Sequence, residues 1–219
     1  MYDAYRLNQI ESVPEETGLY AWYYQIMLSD KDIQVCINDL NNTDDTALKK
    51  KIAETFLEEK IFKYYMETPY KVSIDGALKP KYAGNIEYVP NISESAIIGV
   101  VENPEILRLI KKALIDSVPR FSSPIYIGMA TNLRTRLGKH KKLIEKYLNL
   151  DTYEFEKVDD SIDFADQKDH SFAKEVSIVR KFNTANLVVY VRTFQDHRSQ
   201  ITCMENIFNR IYYPLCGRN

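Results

Sequence analysis

Short apolar runs alternate along the chain with stretches of helical periodicity. Gly18-Leu19-Tyr20-Ala21-Trp22-Tyr23-Tyr24, entered through the turn-like Pro14-Glu15-Glu16-Thr17, predicts a buried strand. From Thr46 to Met66, Ile52, Phe56, Ile61, Tyr64 and Tyr65 recur near helical spacing among Lys and Glu, which predicts an amphipathic helix. Asn103-Pro104 reads as a cap with Pro at the first helical position, opening a helix through Ile106, Leu107, Ile110, Leu114 and Ile115 that Pro119 stops. Between these two, Pro69 to Ser93 carries two glycines and two further prolines and reads as loops or a short hairpin.

Pro124-Ile125-Tyr126-Ile127-Gly128 predicts a second strand, after which Thr131 or Asn132 caps a helix through Leu133, Leu137, Leu143, Ile144 and Leu148. An acidic stretch, Asp151 to Asp169, reads as a solvated loop, followed by a helix from about Ser171 to Phe182. The β-branched Leu187-Val188-Val189-Tyr190-Val191 predicts the third strand. A last helix, Arg198 to Tyr212, presents Ile201, Met204, Ile207, Phe208 and Ile211 as its apolar face and ends before Pro214. The pattern is α+β: a small three-stranded sheet flanked by helices. Residues 1–24 and 124–219 form one domain, and residues 25–123, with two amphipathic helices, form a mainly helical insertion subdomain, too structured for a loop.

Composition changes this picture little until it is resolved by segment. The 219 residues are 45% apolar, enough for a real core, and 29 Lys and Arg against 31 Asp and Glu leave a net charge of −2. That total excludes a chain-wide basic clamp. Residues 124–150, however, hold six basic residues and one acidic, net +5, and residues 173–219 seven and three, net +4. Residues 151–172, with two basic and eight acidic, carry −6 and mask them. Three cysteines, Cys36, Cys203 and Cys216, fit neither a disulfide framework nor a zinc site. No apolar run is long enough for a membrane span, and the first residues lack a leader's layout, so the expected location is cytoplasmic. No P-loop, dinucleotide-binding or zinc-protease motif is present, which argues against an ATPase or a zinc enzyme.

The candidate chemistry lies in three separated pieces: Tyr20 and Tyr126 on predicted strands, Arg136 and His140 on the helix after Tyr126, and Glu205 on the last helix. Arg136 and His140 are four residues apart and share a helix face. Arg134, Lys139, Lys141 and Lys142 surround them with charge suited to phosphate contacts. Gly138 interrupts this helix, where glycine costs about 1 kcal/mol against alanine, and close approach of another backbone or a ligand is the expected reason. Taken singly, the tyrosines read as core aromatics, His140 as a helix-surface histidine and Glu205 as a surface glutamate, with Glu175 as the alternative carboxylate. His170 and His197 read as ordinary loop or helix-start residues.

Taken in order, Gly18-Leu19-Tyr20, Tyr126-Ile127-Gly128, Arg136, His140 and Glu205 resemble the GIY-YIG endonucleases over about 120 residues, Gly18 to Tyr24 and Pro124 to Pro214. The resemblance implies a three-stranded antiparallel sheet with flanking helices that hydrolyses DNA phosphodiesters with one divalent metal ion, usually Mg²⁺. It further implies that Tyr20 and Tyr126 position or deprotonate the attacking water, that Arg136 contacts the scissile phosphate, that His140 assists proton transfer and that Glu205 holds the metal. A tyrosine base needs nearby positive charge, since a free phenol has a pKa of about 10. A single carboxylate suits a one-metal mechanism.

Two features depart from the family pattern. About 100 residues separate the two tripeptides where a short hairpin is usual, and the usual Pro-x-x-Asn ending is replaced by Pro214-Leu215-Cys216-Gly217-Arg218-Asn219, which leaves Asn219 as a displaced candidate. The expected activity is that of a Mg²⁺-dependent DNA endonuclease, restriction-like or serving anti-phage defence. Duplex cleavage would favour a homodimer, and the insertion offers a surface for target or protein-partner recognition. The alternatives are a DNA-binding or assembly subunit that keeps the fold without cleaving, and a nuclease active only with partner proteins.

Overall fold

The aromatic run is the central strand of an antiparallel sheet. In the computed structural model, which describes residues 3–65, 70–73, 83–86, 92–149, 167–194 and 198–217, β1 (Asp3–Arg6) and β2 (Gly18–Tyr24) share a sheet with β5 (Tyr126–Ala130) and β6 (Leu187–Thr193) in the order β1-β6-β2-β5. The hairpin β3 (Tyr70–Ser73) and β4 (Ala83–Ile86) is separate. The main sheet thus has four strands where three are predicted. The extra strand, Asp-Ala-Tyr-Arg, is mostly exposed and carries no apolar alternation, so nothing in its pattern marks it, and its structure comes from pairing with β6.

The chain divides into two compact units, Met1–Met27 with Leu114–Asn219, and Leu28–Ala113. In the first, register sets Tyr20 beside Gly128 and Trp22 beside Tyr126, with Val191 and Val189 on the other side. Because successive side chains alternate, Tyr20, Trp22 and Tyr24 share one sheet face. Against that face lie α5 (Leu133–Leu148), whose Leu133, Leu137, His140, Ile144 and Tyr147 are buried at alternating spacings of four and three, and α6 (Gln167–Lys174), with Phe172 and Ala173. The turn before β2 locks the start of α5: Leu133 and Arg134 donate their amide N–H groups to the carbonyls of Glu16 and Pro14, and the Asn132 side chain accepts from Thr135.

After Lys174 the chain widens into a π-turn, Glu175–Val179, where an uninterrupted helix is predicted from Ser171 to Phe182. Helix α7 (Arg198–Tyr212) packs against β5 and β2, and the segment after it returns to the sheet where Cys216 donates its amide to the carbonyl of Ile125. On the second sheet face, Ala21, Tyr23, Ile127 and Tyr190, with Met204, Phe208 and Tyr212 of α7, enclose an open groove of about 460 Å³.

The second unit contains α1 (Asp30–Asn41), α2 (Thr46–Lys60), the short 3-10 turn Phe62–Tyr65, the β3–β4 hairpin, α3 (Glu94–Glu102) and most of α4 (Ile106–Ser117). Ile33, Cys36, Ile37, Leu40, Ala53, Phe56 and Leu57 are buried along the packed helices α1 and α2. Helix α2 ends at Lys60, short of the predicted Met66, and α1 and α3 are not predicted at all. The acidic stretch before Gln167, His197 and Asn219 lie outside the described residues. Among the described residues, no helix is long and apolar enough to cross a membrane.

Candidate functional site

Strands β2 and β5 place their tyrosines side by side: the rings of Tyr20 and Tyr126 stack with centroids 6.1 Å apart and planes 22° from parallel. Gly128 makes this possible. A Cβ there would overlap the Tyr20 ring, 2.5 Å from Cζ and 3.0 Å from Cε1 of Tyr126. Gly18 serves the neighbouring pair, since its Cβ would run into the backbone carbonyl of Arg192 and lie 2.8 Å from Leu133 Cδ1.

Helix α5 supplies the next layer. Arg136 Nε donates to the Tyr20 hydroxyl at 3.3 Å, and His140 Nε2 lies 3.4 Å from the same oxygen. On its other side the imidazole accepts at Nδ1 from Trp22 Nε1, 3.1 Å away. An indole N–H can only donate, so the His140 Nδ1 is unprotonated and the ring proton sits on Nε2, directed at Tyr20. His140, fully buried, is therefore a neutral donor to Tyr20 in this arrangement, and protonating it would set two donors against each other at Trp22. Two N–H groups converge on the Tyr20 oxygen and stabilise negative charge there.

Phe172 closes the cluster, with ring centroids 4.6 Å from Tyr126, 5.0 Å from His140 and 5.9 Å from Trp22. Tyr20, Tyr126 and His140 are all buried, and Arg136 is half-buried. Tyr126 also lines a small pocket, about 20 Å³, whose other walls come from Ile127, Ser171, Glu205, Asn209, Cys216 and Gly217. Tyr126 thus touches both the tyrosine-arginine-histidine cluster and the wall that carries Glu205. The alternative carboxylate, Glu175, lies instead 3.6 Å from Arg180 as an ion pair.

The basic residues divide into two groups. Arg134 donates to the carbonyl of Val13 at 2.7 Å and pairs with Glu15 at 2.6 Å, and Lys141 pairs with Glu11 at 2.6 Å. The hydrogen bond from Lys141 holds the Glu11 carboxyl below its ordinary pKa, and the same bond raises that of Lys141. Lys139 and Lys142 are exposed. Among the described residues nothing lies within 4 Å of where a Cβ at Gly138 would stand, so close approach of a neighbouring backbone does not account for this glycine.

Glu205 is the one carboxylate among the described residues lining the pocket. Among the described residues no three of His, Cys, Asp and Glu converge as a metal-ligating group. The pocket instead collects oxygen donors, the Glu205 carboxylate with the Asn209 amide and Ser171 hydroxyl, and the Asn209 Oδ1 is buried without a hydrogen-bond partner. Cys216, also on its wall, has its thiol pushed up to about 12 by burial and stays protonated near neutrality. This donor set fits a hard cation.

Trp22, Phe172 and Asn209 were missed from sequence. Trp22 had a readable signal, since it lies two residues after Tyr20 and so shares its sheet face. Asn209 lies one turn after Glu205 on the same helix and had the same kind of signal. Phe172 had none beyond helical periodicity. In comparison with known proteins, the chain matches no family model, no curated protein and no solved structure.

Proposed function

We propose that this chain is a Mg²⁺-dependent endonuclease of the GIY-YIG type that hydrolyses DNA phosphodiester bonds, in a restriction-like or anti-phage role. One observation carries the reading: Tyr20, Tyr126, Arg136 and His140 come from three elements to one cluster, and Tyr126 also lines the pocket with Glu205. In this reading the Tyr20 oxygen takes a proton from the attacking water, helped by the two N–H groups aimed at it. Arg136, which donates to Tyr20 through Nε, stabilises charge on the phosphate. His140 positions Tyr20 instead of shuttling protons, because Trp22 holds it in one tautomer. Glu205 and its pocket hold the cation, which, when bound, supplies Lewis-acid stabilisation of the phosphate and the leaving oxygen.

A second reading, a non-cleaving DNA-binding or assembly subunit, draws on the burial of the cluster: Tyr20 is 2% exposed, Tyr126 6% and His140 0%. The assay that separates the readings incubates the protein with supercoiled plasmid and phage DNA in Mg²⁺ or EDTA. Nicking or linearisation in Mg²⁺ alone is expected, with Arg136→Ala and Glu205→Ala each reducing the rate about 10²–10³-fold. Cleavage that persists at full rate in both variants removes these residues from the site. Absence of cleavage by the wild type, with DNA retained in a binding assay, favours the second reading.

A further inference from the structure

We propose that Asn209 is a second protein ligand, beside Glu205, for the divalent cation. The inference rests on the metal-dependent reading of this site and names a residue for which that reading has no role. Glu205 and Asn209 are four residues apart on α7, so they occupy neighbouring positions on one helix face, and both line the pocket at the free edge of β5. The Asn209 Oδ1 is buried and accepts no hydrogen bond. An unsatisfied buried carbonyl is destabilising, and a ligand in the pocket that its residue lines would complete its bonding.

The size of the pocket limits that ligand. At about 20 Å³ it exceeds the roughly 10–15 Å³ needed for one water, which leaves room for one ion or one water. Carboxylate, amide and hydroxyl oxygens are the donors of Mg²⁺, Mn²⁺ and Ca²⁺, and among the described residues the only sulfur on the wall is the protonated Cys216. The tail past α7 forms one wall of the pocket: Cys216 donates to Ile125, and Gly217 donates to Pro214 at 2.9 Å.

The test measures Mn²⁺ binding to the full chain without DNA, by electron paramagnetic resonance and calorimetry, up to about 10 mM, beyond the range of weak oxygen-donor sites. Wild type is expected to bind one Mn²⁺, competed by Mg²⁺. Asn209→Leu should weaken binding at least about tenfold, and Asn209→Asp, which adds a charge on the same atoms, should tighten it. The proposal is overturned if the wild type binds no Mn²⁺. It is equally overturned if Asn209→Leu binds as the wild type does while resisting urea better, the behaviour of a plain orphaned amide. Should the leucine variant not fold, Asn209→Asp decides, since unchanged or weaker binding overturns the proposal. Asn209-dependent Mn²⁺ binding without DNA cleavage upholds the ligand and defeats the nuclease reading; cleavage with Mn²⁺ binding indifferent to Asn209 does the reverse.

Discussion

The imidazole of His140 depends on an indole. Trp22 donates to Nδ1 and so commits the ring proton to Nε2 and Tyr20. Trp22→Phe keeps most of the packing against Phe172 but removes the donor, leaving a buried acceptor that costs about 1–3 kcal/mol of stability. It also frees the imidazole to take either tautomer or a second proton. Urea denaturation should show the loss, and under the proposed nuclease reading the rate of cleavage against pH should change shape, with a new acidic limb absent from the wild type. An unchanged pH profile with only a stability loss would make Trp22 a packing residue and nothing more. Burial pushes the thiol of Cys216 up to about 12 and that of Cys36 to about 11 from an ordinary 9.0. Between pH 9 and those values the unfolded chain releases protons that the folded chain keeps, so stability is full below about pH 9 and falls above it. Cys216→Ala should flatten that alkaline decline in denaturant midpoint.

At the scale of elements, three glycines separate structural necessity from chance. Gly138→Ala meets nothing within 4 Å and should stabilise α5 by about 0.5–1 kcal/mol. Gly128→Ala should destabilise by about 1–3 kcal/mol and displace the Tyr20 ring, so activity should fall further than stability alone explains. Gly18→Ala collides with backbone instead of a side-chain end and should cost the most of the three, in thermal melts of all three variants. The same scale shows what was legible. β2, β5, β6 and α5 were readable because each buries a long apolar face, and their positions bring four of the five candidate residues into one cluster. Helix α1 carries a readable code of its own: Ser29 caps it by accepting from Asp32, and Ile33, Cys36, Ile37 and Leu40 are its buried stripe. β1 and the π-turn were not readable. A four-residue exposed edge strand has no periodicity of its own, and the extra residue of a π-turn is decided by tertiary packing around Val176 and Phe182.

The near-neutral charge of the whole molecule conceals a local division that governs how it would meet a polyanion. Of the four cations proposed for DNA contact, Arg134 and Lys141 are already paired with Glu15 and Glu11, while Lys139 and Lys142 stand exposed. Surface pairs of this kind are weak, so phosphate can compete for them, but each must first give up its carboxylate. Counterion release then predicts unequal effects. In a Glu205→Ala variant that binds without cutting, the slope of log affinity against log salt should fall by about 0.9 for each of Lys139→Ala and Lys142→Ala. Lys141→Ala should lower it less. Glu11→Gln, which releases Lys141, should raise both the affinity and the slope, a gain of function from removing one acidic group. If all four cation variants lower the slope equally and Glu11→Gln changes nothing, the intramolecular pairs play no part in binding. If none of them changes it, DNA is held by some other face than α5, and the +5 of residues 124–150 serves the fold rather than the ligand.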